Sequence, residues 1–257
     1  MQRLLISLTF AVLLASIIAS AQTIIPGGYV SGSWEPSGSP YLIQGTIYLD
    51  ENQILAIEPG VHVIFQGYYK FNIEGMLQAI GTESDSITFT AADTSEGWHG
   101  LRFYDLNSQP DSSRLVYCVL EYGRASGVGN SKYGGAVYAT NSDLLRLSHC
   151  TFSNNSTGDV FGHHGPEGAE PGGNGGTGES VISGHGGAVY LNDSSLLITN
   201  CVFKDNRTGN ATGGNGGDGQ YESIFIPWQG AAGGDGGDGG NGTSGSGGAI
   251  YIHAGSP

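Results

Sequence analysis

The chain is poor in positive charge. Only 9 Lys and Arg stand against 23 Asp and Glu, a net charge of −14 over 257 residues. A nucleic-acid binder needs a basic footprint and a surface anchor needs a polybasic cluster, so both classes are excluded. Beyond the first twenty or so residues no segment holds a 3.6-residue apolar period, and none is long and apolar enough to span a bilayer. Cysteine is scarce and odd in number: Cys118, Cys150 and Cys201. In an exported chain that prompts a search for a reactive thiol, but the repeat described below gives these residues another place. Glycine is the opposite case, at 46 residues, about 18% against an average near 7%. It clusters instead of recurring every third residue throughout, which excludes collagen. With 38% hydrophobic and 10% aromatic residues there is material for a core, and simple disorder is excluded.

The first segment reads as an address. Arg3 precedes the apolar run 4–18, and Ala19-Ser20-Ala21 offers a small-x-small cleavage site before Gln22, the pattern of a secretory leader. Cleavage after Ala21 leaves 8 basic residues against 23 acidic, hence a net charge of −15. The expected domains are a signal peptide over 1–21, an approach or cap segment over 22–40, and one repetitive unit over 41–257.

Three segments read alike: Gly134-Gly135-Ala136-Val137-Tyr138, Gly186-Gly187-Ala188-Val189-Tyr190 and Gly247-Gly248-Ala249-Ile250-Tyr251. Two of them are followed by matching halves, Leu144–Asn155 and Ser195–Asn206, each containing Cys-x-Phe-x-x-Asn. An earlier copy, Arg114–Gly123, carries Cys118, and Gly100-Leu101-Arg102-Phe103 stands where its GGAVY would be. From the first Gly to Cys is 16 and then 15 residues, whereas from Cys to the next GGAVY is 16, 36 and 46. One half is fixed in length and one connection grows. Period-2 alternation in the fixed half, with a one-residue offset between Leu147 and Cys150, is the pattern of two short strands meeting at a corner. Short strands, a period of twenty to thirty-odd residues and insertions confined to one connection describe an all-β parallel solenoid. Equivalent positions then stack as ladders: the three cysteines, Phe152 over Phe203, and Asn155 over Asn206. The asparagines are expected at a corner, where the amide bonds the next coil and tolerates a left-handed backbone. The region before them shows strand-like runs at 41–43, 46–49, 54–57, 61–65, 70–73 and 86–90, divided by glycines.

The paired motifs GGAVY…CTFSNN and GGAVY…CVFKDN resemble the repeats of chlamydial-type polymorphic outer-membrane proteins, whose hallmark is GGA(I/L/V) followed by FxxN. The copy at 118–123 lacks FxxN. Glu58-Pro59-Gly60-Val61, Gly75–Thr82, Ile87–Thr90 and Gly97-Trp98-His99-Gly100 look like the opening coils of secreted bacterial β-helices. The resemblance implies a right-handed parallel β-helix on a bacterial cell surface, outer-membrane or extracellular, in an adhesive role. The third unit stops at Pro257 before a Cys-x-Phe half, so the expectation is a truncated chain.

Catalysis on such a fold needs acids, a base or a metal converging on one outer face. The charges of the repeat, Asp143, Arg146, Asp193, Lys204 and Asp205, are scattered near corners, with no paired aspartates. The expected function is therefore a non-catalytic adhesion or structural element. The alternative is a carbohydrate-active β-helix, lyase- or hydrolase-like, whose catalytic coils are missing from this chain. His163, His164 and His185, with Glu167 and Glu170, have ligand chemistry for zinc but read as a solvated polar loop. Asp218, Asp235 and Asp238 sit in Gly-Gly-Asn and Gly-Gly-Asp runs that match the front of a calcium-binding nonapeptide. The hydrophobic residue that pattern needs is replaced by Gln220 and Gly240, so calcium is only a candidate and no cofactor is expected. Trp98 reads as a core or cap aromatic.

The long insertions carry Gly-Gly-X runs at 172–178, 213–219 and 233–241. Such runs read either as flexible linker or as an extended helix of three residues per turn, which would put every X on one edge and leave two edges bare for close backbone packing. Both long insertions follow the corner asparagines, so they are expected on one side of the solenoid. Two runs flank Tyr221, Ile224, Phe225, Ile226 and Trp228, an apolar tip expected to contact a glycan or protein on a cell or matrix.

Overall fold

The computed structural model describes residues 22–109, 111–169, 173–220 and 235–254. The leader and the apolar tip Tyr221–Trp228 lie outside them. The chain winds through three sheets in turn, and every strand pairs in parallel with its equivalent in the neighbouring coils. The first sheet has seven strands, from Thr23–Ile25 through Cys118–Glu121 and Thr151–Ser153 to Val202–Lys204. The second also has seven, from Gly28–Tyr29 through Leu101–Tyr104 and Val137–Thr140 to Ile250–His253. The third has six, from Gly32–Trp34 to Leu197–Thr199. This is a parallel β-solenoid. Segment 22–40, expected as an approach or cap, is the first described part of the chain. Its residues 23–34 supply one strand to each sheet and so form a coil themselves, pairing with Tyr41–Ile43, Ile47–Leu49 and Ile54–Ile57.

Alternation decides which side chains fill the interior. Val63 and Phe65, Ile87 and Phe89, Cys118 and Leu120, then Cys150 and Phe152 point inward from successive strands of the first sheet and are buried. Each Phe or Leu so buried is worth about 1.5–3 kcal/mol relative to exposure. Register confirms the sequence alignment of the repeats: Leu101 pairs with Val137, Val137 with Val189, and Val189 with Ile250. Phe152 and Phe203 stack with centroids 4.8 Å apart and planes at 4°. Trp98 is fully buried, stacked on Phe65 at 4.3 Å. The cysteines are unbridged and ladder as expected, but only Cys118 and Cys150 are buried; Cys201 is half-buried.

Corners are made by single residues with positive φ. Tyr117, His149 and Asn200 turn the chain into the first sheet, and Tyr122, Asn154 and Asp205 turn it out. Reversing the backbone sign for one residue redirects a strand without a loop, and Asn and Asp bear this conformation at least cost. The ladder asparagines are not the left-handed residues, contrary to the sequence reading; those precede them by one. Asn155 instead aims its amide into the stack. Its Oδ1 accepts Gly123 N–H at 2.8 Å, and its Nδ2 donates to Leu120 carbonyl and Asn206 Oδ1, both at 2.9 Å. Asn206 repeats the bond one coil on, donating to Phe152 carbonyl at 2.8 Å. The copy at 118–123 lacks FxxN because Leu120 pairs with Phe152 and takes the phenylalanine slot, and Gly123 serves as the donor in place of an asparagine.

Candidate functional site: a bundle of hydrogen-bonded glycine runs

The two long insertions do not wander. Thr157 and Ser183, both buried, staple their bases: Thr157 Oγ1 accepts Gly209 N–H at 2.7 Å, and Ser183 Oγ donates to Gly209 carbonyl at 2.7 Å. Ser183 Oγ also accepts Gly245 N–H at 2.8 Å, tying together the insertions of two coils.

Beyond the base, backbone bonds recur every third residue. Gly162, Gly165 and Gly168 donate to Thr212, Asn215 and Asp218. Gly175, Gly178 and Val181 donate to Asp235, Asp238 and Asn241. These two pairs run parallel. Crossing them, Gly214, Gly217 and Gln220 donate to Glu179, Gly176 and Gly173, and Gly237 and Gly240 donate to Gly217 and Gly214, all antiparallel. A donor returning to the same neighbour every third residue is the mark of an extended helix with three residues per turn. Such a helix has no internal hydrogen bonds, so its amides are free for neighbours on three sides. Each bond contributes about 0.5–1.5 kcal/mol net.

Glycine is required by the closeness of approach. A Cβ on Gly175 would collide with Gly217 carbonyl, one on Gly217 with Pro166 carbonyl, and one on Gly237 with Gly176 carbonyl. Gly236 and Gly239 face outward, where the nearest atom to an added Cβ lies at 3.7 Å. The X residues hold the remaining edge. Asn174 Oδ1 accepts Asp235 N–H and Ser180 Oγ accepts Asn241 N–H, each at 2.9 Å.

The candidate site residues fall as follows. Asp218 lies on one run, and Asp235 and Asp238 lie on another; their backbone carbonyls are bonded within the bundle. Among the described residues no group of three or more His, Cys, Asp or Glu is gathered to hold a metal. His163 pairs with Glu179 through Nδ1, and its N–H donates to the same oxygen at 3.0 Å. Those bonds hold the Glu179 carboxyl below its ordinary range. His164 Nδ1 accepts Asn215 N–H at 3.2 Å. His185 stacks between Tyr133 and Tyr251, and burial lowers its pKa. Glu170 and the tip Tyr221, Ile224, Phe225, Ile226 and Trp228 lie outside the described residues.

Sequence reasoning missed a basic knot beside the solenoid wall. Arg102 occupies the tyrosine slot of the GGAVY ladder, pairing with Tyr138, and is almost fully buried. It straps the following connection by donating from Nε to His99 carbonyl at 2.8 Å and from Nη1 to Tyr133 carbonyl. Its Nη2 has no partner among the described residues, and the guanidinium lies 5.8 Å from the Tyr138 ring centroid. Burial pulls its pKa down to about 10. His99 is pushed down to about 3, first by burial and then by Arg102 and Lys70. Its Nε2 lies 2.9 Å from Ser131 carbonyl; a carbonyl can only accept, so Nε2 carries the proton. The one available signal was an arginine at the position that Tyr138, Tyr190 and Tyr251 fill in the GGAVY and GGAIY copies.

Among the described residues no helix is long and apolar enough to cross a membrane. Compared with known proteins, the chain matches no family model, no curated protein and no solved structure.

Proposed function

We propose that the chain is a secreted, cell-surface right-handed β-helix with a non-catalytic adhesive or structural role, in which the solenoid holds the glycine bundle out from one side. The three-residue register of hydrogen bonds between the runs supports this reading. Unbonded glycine-rich segments of this length would behave as flexible coil. Bonded on several edges, they form a platform anchored at Thr157 and Ser183. The runs 211–220 and 235–243 bracket in sequence the stretch 221–234 that carries Tyr221, Ile224, Phe225, Ile226 and Trp228. The partner class is a glycan or protein on a cell or matrix surface.

The test is adhesion of protein-coated beads to cells and to immobilised matrix glycans. Phe225→Ser with Trp228→Ser is expected to abolish adhesion while circular dichroism and the unfolding midpoint stay unchanged. Adhesion of the double variant at the native level would overturn the reading.

A further inference from the structure

Among the described residues, the outward tyrosine ladder of the second sheet is most open over its first two coils. Tyr29, Tyr48 and Asn72 lie side by side in register, with Tyr29 at 77% and Tyr48 at 41% exposure. The two tyrosine rings are 5.7 Å apart and tilted by 43°. One coil further, the ladder is closed by Arg102 at 2% and Tyr138 at 1% exposure. Beside the open tyrosines lie two cavities of about 220 and 160 Å³ that share Glu74. The first is lined by Tyr29, Tyr48, Asp50 and Asn72, and the second by Glu51, Tyr104, Asp105 and Ser108.

The lining is unusual in charge. It holds four carboxylates and no Lys or Arg. Among the described residues none of the four is in an ion pair. Only the Asp105 carboxylate accepts a side-chain hydrogen bond, from Asn141 Nδ2 at 2.8 Å. The acids do not converge on one point, since no cluster of metal-ligand type is formed among the described residues. They are spread along three successive coils. Asp50 and Glu74 follow the ends of Ile47–Leu49 and Phe71–Ile73 at equivalent register positions; on the next coil Tyr104 continues that register, and Asp105, just after Leu101–Tyr104, stands one residue further on. Successive strands are about 4.8 Å apart, close to the length of one pyranose in an extended chain.

We propose that this groove binds a polysaccharide carrying free amino groups, laid along the solenoid axis across the first four coils. Tyr29 and Tyr48 offer faces to the apolar side of the sugar rings and to ammonium groups, which aromatic faces attract. The acids offer about one carboxylate per sugar, matching one amine per sugar. A polyanionic glycan is repelled by the same acids and by the chain's net charge of −14. The site is separate from the glycine bundle and does not depend on the adhesive reading of the tip.

The test is titration calorimetry of the full chain at low salt and about pH 6, where carboxylates are ionised and amines protonated. The probes are a glucosamine hexamer, its fully N-acetylated form, cellohexaose and a lysine hexamer. The glucosamine hexamer is expected to bind and the N-acetylated form to bind at least tenfold more weakly. Tyr29→Ser with Tyr48→Ser, and separately Glu51→Gln with Glu74→Gln, are each expected to weaken it at least tenfold. All four side chains project from the solenoid, and the single Tyr29→Ser variant, at the most exposed site, serves if a double variant loses its fold. Absence of glucosamine binding at millimolar concentration overturns the proposal. Equal binding of the N-acetylated or neutral hexamer shows that the amines are not read and also overturns it. Equal binding of the lysine hexamer, or no effect of removing the tyrosines, reduces it to bare charge attraction and refutes the sugar site. The Phe225→Ser, Trp228→Ser variant is expected to bind the hexamer normally, so failure of the tip and failure of the groove are read separately.

Discussion

Asn155 is the most constrained polar residue of the stack, and Asn155→Ala tests the solenoid reading directly. The side chain has no exposed surface and satisfies three groups: Gly123 N–H, Leu120 carbonyl and Asn206 Oδ1. Truncation strands the first two between coils, where water cannot replace the amide. Asn206 Oδ1 keeps a donor, because Asn155 N–H also reaches it at 3.0 Å. Leaving a buried donor or acceptor unpaired costs about 1–3 kcal/mol each, so the expected loss is about 2–6 kcal/mol. Asn206→Ala should cost less, about 1–3 kcal/mol, because Asn206 is only half-buried. The double variant should fall short of the sum by about 1 kcal/mol, since the residues share a bond. The assay is urea unfolding followed by circular dichroism on the full chain. Asn155→Asp adds a sign test. It turns a donor into a buried negative acceptor facing two oxygens, so it should destabilise more than Ala at neutral pH and recover on acidification as the carboxyl protonates. An Asn155→Ala variant within about 0.5 kcal/mol of the parent, the range of ordinary surface changes, would refute the ladder.

The glycine runs make a paired prediction: Gly175→Ala or Gly217→Ala should open the bundle and abolish amide protection across the runs, while Gly236→Ala and Gly239→Ala leave it intact, and uniform tolerance would contradict the close packing. Native thiol labelling should be slow at Cys118 and Cys150. Cys150 is buried, and its neighbour Cys118 chiefly pushes its pKa up to about 12, so little thiolate forms there at pH 8; rapid labelling of all three sites in the folded protein would refute the stacked, buried ladder. His99 predicts a pH slope. Its pKa is 6.5 unfolded and about 3 folded, so between those values the unfolded chain binds the extra proton and stability falls as pH falls. The slope approaches about 1.4 kcal/mol per pH unit; unfolding titrations of the parent and of His99→Gln should differ by it, and parallel curves would show that His99 is not held neutral.

The solenoid was legible because its information is local and repeated. Period-2 alternation around Leu145, Leu147, Cys150 and Phe152 names the inward face, and the recurrence of GGAVY and Cys-x-Phe names the positions that stack. A solenoid coil contacts only its neighbours, so a repeat in sequence is a ladder in space. The Gly-Gly-X spacing admitted extended three-residue turns by the same logic, since a period along the chain is a face of the helix, but it did not separate them from flexible linker. What the sequence could not give is which surfaces meet. Nothing local says that Gly217 bonds to Gly176 in the connection of the coil before it, because that partner is chosen by the stacking of whole coils. The same holds for residues 23–34, whose glycines and single proline read as an approach or cap segment until strands already in place offer an edge to pair with. Arg102 reads as an outward charge on a strand, and only the folding of Tyr133 and His99 over it makes it a buried strap. The groove depends on where that cover stops: Tyr48, Asn72 and Arg102 share one ladder, and tertiary packing alone leaves the first exposed, half-buries the second and closes the third.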